Sequence, residues 1–258
     1  LGAGSSQITA TVGDVSGSSP LTVSSSAGNF NIELRNLTAV SGSVQAALNA
    51  AVARWQDIIR GDLADFNAVG LNVDFCGNQP EGTTITEVID DLLIFVKVEA
   101  IDGPGQVLGS AGPCWIRGGA GGLPFVGVMR FDIADIPTME LNGTLSGVIL
   151  HEMGHVLGVG TMWGDFLEDP APALASPACL SSDPIFTGTN ARWAFGNLGT
   201  AYGGRTVPVE NCFGDGTRNA HWRESVVDRA LMTGFIDATN PLSPLTILYL
   251  LDLGYVVD

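Results

Sequence analysis

Apolar positions recur along this chain with two different periods, and the changes between them outline its elements. Val44, Leu48, Ala51, Val52, Trp55 and Ile59 fall at helical spacing with Gly61 as a stop, so a helix is expected over about 43–59. Further helices are expected over about 144–157, over 189–198 with Thr189 or Asn190 as cap, and over 243–253, where Leu245, Ile247, Leu248 and Leu251 are apolar. Alternation or dense apolar runs predict strands at Phe30–Leu34, Leu71–Phe75, Leu92–Val98, Val107–Ile116 and Phe125–Phe131, with Leu92–Val98 as a central strand. Residues 1–28 are rich in Ser, Gly and Thr and read as a loose or edge-strand lead-in. Residues 159–220 are rich in Pro, Gly, Asn and Ala, with short periodic pieces and little apparent core. Strands and helices followed by a loop-rich part describe an α+β domain with a smaller, irregular second lobe.

Composition narrows the function classes. A chain of 258 residues can bury a sizeable core. No stretch approaches the ~18 uninterrupted apolar residues of a membrane span. The net charge of −16 argues against nucleic acid as a partner, because phosphate binding needs a basic face. None of the four cysteines forms a C-x-x-C pair, which argues against a thiolate zinc site; their even number suits two disulfides in an oxidising compartment. The chain starts at Leu1 without a leader and is expected to be the trimmed form of a longer, secreted precursor. The glycine-rich stretch 117–122 lacks the spacing of a phosphate loop. Asn36-Leu37-Thr38 and Asn142-Gly143-Thr144 match glycosylation acceptors.

The candidate chemistry rests on three histidines, His151, His155 and His221. The first two lie in His151-Glu152-Met153-Gly154-His155, an H-E-x-x-H pattern on an expected helix. Four residues along a helix rise ~6 Å, about one turn, so both imidazoles leave one face, the spacing needed to grip one metal ion. Ile149, Met153, Val156 and Leu157 fall on the opposite face and should anchor the helix in the core. Neutral imidazole is a good zinc ligand, and Glu152 is placed to reach a metal-bound water without being a ligand. A catalytic zinc usually takes a third protein ligand. Some twenty residues further on, the chain reads Leu174-Ala175-Ser176, with no carboxylate. Glu168, Glu210 and His221 remain as candidates. After His155 comes Gly158, suited to a helix-ending turn.

In these features the sequence resembles the leishmanolysin family of metallopeptidases. The resemblance rests on His151 to Gly158, His221-Trp222, Leu231 to Gly234, and the tail 244–257 with its Asp252-Leu253-Gly254-Tyr255; it is looser over Phe30–Leu63. Metzincins mostly place the third histidine three residues after the glycine, where this chain has Thr161. The leishmanolysin family instead inserts a subdomain there, and 62 residues separate Gly158 from His221. The resemblance implies a metzincin-like zincin with a mixed twisted sheet, two long helices in the N-terminal lobe and a loop-rich C-terminal lobe. It implies one catalytic zinc held by His151, His155 and His221, Glu152 as general base, and Met232 in a Met-turn that supports the site by packing. A compact, secreted, bacterial-type zinc endopeptidase acting on proteins or peptides is expected, and as a monomer. Its organisation would be a lead-in over 1–28, a catalytic subdomain over 29–158, and a C-terminal subdomain over 159–258 that contains the 159–220 insert.

Metzincin-like architecture also implies that substrate lies along an edge strand preceding the active-site helix. The region 107–114 is the candidate, with Gly109 and Gly112 admitting a peptide. The layout favours disulfides Cys76–Cys114 and Cys179–Cys212, although three pairings are compatible with four cysteines. Calcium is a secondary candidate ion, through Asp132, Asp135 and Asp215, against the plainer reading of solvated acidic surface. Two competing functions are a zinc amidohydrolase acting on non-peptide substrates and a secreted binding or adhesion module with a structural zinc. The latter would need a fourth ligand such as Glu210 or a cysteine.

Overall fold

The computed structural model describes residues 4–12, 15–23, 29–118, 122–168, 179, 182–199, 206–214 and 216–258. The expected lead-in contains an antiparallel hairpin of β1 (Gly4–Val12) and β2 (Val15–Val23). The body of the molecule is mixed α+β. Its main sheet joins β3 (Ile32–Asn36), β6 (Leu92–Glu99), β7 (Gly109–Ile116) and β8 (Pro124–Asp132) in the order β3-β6-β8-β7. β3, β6 and β8 run parallel, whereas β7 pairs antiparallel with β8 and forms one edge. β6 is thus a central strand, and its unbroken apolar run reflects burial on both faces. Leu92, Ile94 and Val96 point into the main core with the helices, while Leu93 and Phe95 enter a second core with Val73, Cys76, Ile85, Ile89 and Phe125.

The helices that cover the sheet follow the apolar spacing. α1 (Gly42–Ile58) is capped by Ser41, whose hydroxyl accepts the Val44 N–H, and it buries Val44, Ala47, Leu48, Ala51, Trp55 and Ile58. The Trp55 indole donates to the Leu150 carbonyl, tying α1 to α3 (Leu145–Val156). α2 (Ile136–Asn142) was not anticipated: it is short, carries Pro137 in its first turn and ends at Gly143 with φ +71°. The strand expected at Leu71–Phe75 is a turn region instead. Asn72 accepts the Asp74 N–H in an Asx turn and only bridges to Thr84, so local side-chain bonding overrides the apolar run. Two short antiparallel strands, β4 (Phe66–Asn67) and β5 (Val88–Ile89), flank this segment.

Beyond α3 the chain has more core than its composition suggested. β9 (Leu167–Glu168), β10 (Ile185–Phe186) and β11 (Val207–Pro208) form a small antiparallel sheet. Trp163, Phe186, Trp222 and Tyr249 meet edge to face or stacked, at centroid distances of 4.6 Å for Trp163–Trp222 and 5.1 Å for Phe186–Tyr249. Tyr249 belongs to α6 (Pro244–Leu253), capped by Ser243. α4 (Thr189–Asn197) starts after Gly188 and is not capped by Thr189 or Asn190. The Asp252 carboxylate of α6 accepts the Asn190 and Ala191 N–H groups at 2.9 Å, so the cap comes from another element. The short α5 (Glu224–Val227) follows the third histidine. Disulfides join Cys76 to Cys114, tying the 66–89 segment to edge strand β7, and Cys179 to Cys212. Among the described residues, no helix is long and apolar enough to cross a membrane.

Candidate metal centre

α3 lies close on the sheet because Gly127 of β8 has no side chain. A Cβ there would stand 2.3 Å from Val156 Cγ1. This seats Ile149, Met153 and Val156 in the core and leaves His151, Glu152 and His155 one turn of helix for the site. The helix stops at Leu157, and Gly158 follows with φ +114°, a left-handed backbone that favours glycine. Tyr249 Oη donates to the Gly158 carbonyl at 2.7 Å and ties the turn to α6.

The turn continues through Val159 and Gly160, and Gly160 makes the next connection. Its φ is +77°, and a Cβ there would stand 1.9 Å from the carbonyl oxygen of Ala220. The backbone after the helix therefore touches the backbone just before His221. Thus the 62-residue excursion returns the third histidine to the first two.

The Nε2 atoms of the three histidines lie 3.0–3.1 Å from one another. Each Nδ1 faces a backbone carbonyl: Leu231 at 2.6 Å for His151, Val159 at 2.7 Å for His155, and Thr217 at 3.0 Å for His221. A carbonyl only accepts, so each Nδ1 carries the proton and each neutral ring turns a bare Nε2 lone pair inward. Burial pushes all three imidazoles below their ordinary pKa, His221 down to about 3, with the neighbouring rings adding to the effect at His151 and His221. Three facing lone pairs repel unless a cation lies between them. Nitrogens at this separation fit around one ion at the ~2.0–2.1 Å Zn–N distance. The donor set therefore fits zinc. The carbonyls supply the outer hydrogen bonds that metal-binding histidines require.

Glu152 is buried beside this cluster, and its Oε2 has no hydrogen-bond partner among the described residues. Burial pushes its carboxyl up to about 8, whereas a nearby cation acts in the opposite direction. Met232 is fully buried against Gly154, and its carbonyl accepts the Trp222 N–H at 2.9 Å.

Other candidate ligands are used elsewhere. Glu210 accepts the N–H groups of Asn211, Cys212 and Glu224, and the four cysteines are paired. Glu168 lies in the small sheet and is exposed, outside the histidine cluster. Among the described residues, the donor cluster at this centre comprises the three histidines. Asp132 directs its carboxylate at the N–H groups of Ile101, Asp102, Gly103 and Ala134, and Asp135 accepts from Gly105. Asp215 lies outside the described residues.

Sequence reading did not find the carbonyls of Leu231, Val159 and Thr217, because a backbone acceptor leaves no mark on residue identity. Gly160 did leave one: the G-x-G after the helix signals a second position where a side chain is excluded.

The sequence model of the leishmanolysin peptidase family matches residues 44–258, which include every element of this centre. No curated protein matches the chain.

Proposed function

The chain belongs to the leishmanolysin family of zinc metallopeptidases, and from this premise we propose that it is a secreted endopeptidase whose zinc is held by His151, His155 and His221, with Glu152 as general base. The observation that carries the reading is the convergence of three Nε2 atoms whose Nδ1 partners are all backbone carbonyls. Bound zinc would act as a Lewis acid and lower the pKa of a water towards ~7. The carbonyls of Leu231, Val159 and Thr217 keep each ring in the tautomer that presents Nε2. Glu152 has a free, buried Oε2 with which to take a proton from the attacking water and pass it to the leaving amine. Met232, pressed on Gly154, supports the helix from beneath.

β7 is the edge strand beside α3 and offers unpaired backbone groups to an extended peptide. Its register along the site is supported by the Cys76–Cys114 bond at one end and the Asp132-bound loop at the other. The two disulfides suit an extracellular setting. In this reading residues 29–158 carry Glu152 and two ligands, and residues 159–258 return the third.

The test is hydrolysis of a mixed peptide library by zinc-loaded protein beside Glu152→Gln, with cleavage sites read by mass spectrometry. Cleavage by the parent alone supports the reading and yields the preference. Equal cleavage by both removes Glu152 from the mechanism. No cleavage by either, with zinc bound in both, overturns the endopeptidase assignment.

A further inference from the structure

Two glycines of edge strand β7 face α3 and the turn that follows it, yet their surroundings differ. A Cβ on Gly112 would meet only Thr161 Cγ2, at 3.6 Å, an ordinary contact. A Cβ on Gly109 would stand 3.1 Å from each of three atoms: the Arg130 carbonyl oxygen, Phe131 Cδ1 and Glu152 Cγ. At these distances each neighbour would have to give by a few tenths of an ångström, and the one least held would give most.

Which neighbour would yield follows from how each is held. The Arg130 carbonyl belongs to the backbone of β8, inside the sheet. The Phe131 ring is fully buried in the main core. Glu152 has no such restraint at its tip, its Oε2 having no hydrogen-bond partner among the described residues. The chain leading into the strand is held as well. The loop before it is pinned by Asp132 to the N–H groups of Ile101, Asp102 and Gly103 at 3.2, 2.9 and 2.8 Å, and by Asp135 to Gly105 at 2.7 Å. The Leu108 carbonyl also accepts the Asp132 N–H at 3.1 Å.

We propose that Gly109 is a positioning residue: the space left by its missing Cβ is what the Glu152 side chain occupies, and it keeps that side chain on its course from α3. The role of Gly109 lies in placing a group of the enzyme, beyond any room it leaves for a peptide. The proposal rests on Glu152 being the general base, as read above.

The experiment compares zinc-loaded parent, Gly109→Ala, Gly42→Ala and Glu152→Gln on one peptide substrate, with kcat, KM, zinc content and melting temperature. A misplaced catalytic group costs on the order of 100-fold per ångström, so a shift of a few tenths of an ångström in Gly109→Ala should lower kcat about threefold to tenfold. Its KM, zinc content and melting temperature should match the parent, and Gly42→Ala, where a Cβ meets nothing within 4 Å at the start of α1, should match it throughout. A crystal structure of Gly109→Ala should show the Glu152 side chain displaced away from residue 109, a readout independent of turnover. Unchanged kcat or an unmoved Glu152 overturns the proposal. So does a loss of kcat in step with melting temperature or zinc, which would place the strain in the strand. An active Glu152→Gln instead overturns the general-base reading itself.

Discussion

Met232 rests directly on Gly154, the second variable position of the H-E-x-x-H helix: a Cβ on Gly154 would stand 2.7 Å from Met232 Sδ and 3.1 Å from its Cε. Met232 and α3 thus meet where the helix has no side chain. Trp55 closes the same spot, 3.3 Å from that Cβ position. Alanine in place of glycine inside a helix gains about 0.5–1 kcal/mol. Overpacking a buried contact costs about 1–3 kcal/mol. Because Met232 and Trp55 are both fully buried, the second effect should win. Gly154→Ala is expected to be less stable than the parent, and chemical denaturation checks the sign.

The three inward-facing Nε2 lone pairs predict that metal removal weakens the fold as well as the activity. A ligand present at a hundredfold its dissociation constant stabilises the native state by about 2.7 kcal/mol. For a chain of this size, that corresponds to roughly 5–10 °C in melting temperature. Chelation should lower the melting temperature by that order and abolish proteolysis, and added zinc should restore both. An unchanged melting curve after verified metal removal would contradict this.

Gly160 should tolerate no side chain. Its backbone is left-handed, and the atom a Cβ would meet, at 1.9 Å, is a carbonyl oxygen of the Ala220 backbone. Gly82 has a similar φ of +81° with open space around it, so it isolates the cost of the backbone conformation alone. Gly82→Ala should cost about 1–2 kcal/mol. Gly160→Ala should cost about 3 kcal/mol or more and should also weaken zinc binding through His221. Parallel denaturation curves and zinc titrations distinguish the two.

Asp132 provides a pH-dependent check that is separate from the metal. Hydrogen bonds from the N–H groups of Ala134, Asp102, Gly103 and Ile101 hold its carboxyl below the ordinary value, against the opposing effect of burial. A folded-state pKa below the unfolded one means that the unfolded chain binds the proton first. The stabilisation is then fully present above the ordinary carboxylate pKa of ~4 and is lost as pH falls through the folded-state value. Asp132→Asn should therefore melt below the parent at neutral pH, and the two curves should converge in acid. A gap that stays constant across pH would show that the charge plays no part.

Much of this protein was legible along the chain, because the deciding interactions were local. Helical spacing located α1 and α3, and Gly158 marked the end of α3, whereas the Ser41 cap of α1 and its end at Ile58, before Gly61, were set by the structure. The period of 3.6 residues places His151 and His155 on one face whatever surrounds them. The long apolar run at Leu92–Val98 marked β6 as a central strand. Other features depended on partners far away in sequence. Leu71–Phe75 has the apolar content of a strand, but its asparagine found a closer partner in the Asp74 N–H. The cap of α4 came from Asp252, 62 residues beyond Asn190, and no reading of residues 188–190 would reveal it. The apparent lack of core after α3 arose because Trp163, Phe186, Trp222 and Tyr249 are scattered over 87 residues and become neighbours only on folding. His221 shows both sides of the matter. Its residue type and its place before Leu231–Gly234 can be read from the chain. The 3.1 Å approach of its Nε2 to the other two, its carbonyl partner at Thr217 and the contact of Gly160 with Ala220 come from tertiary packing, because side-chain identity cannot encode where a distant backbone will lie.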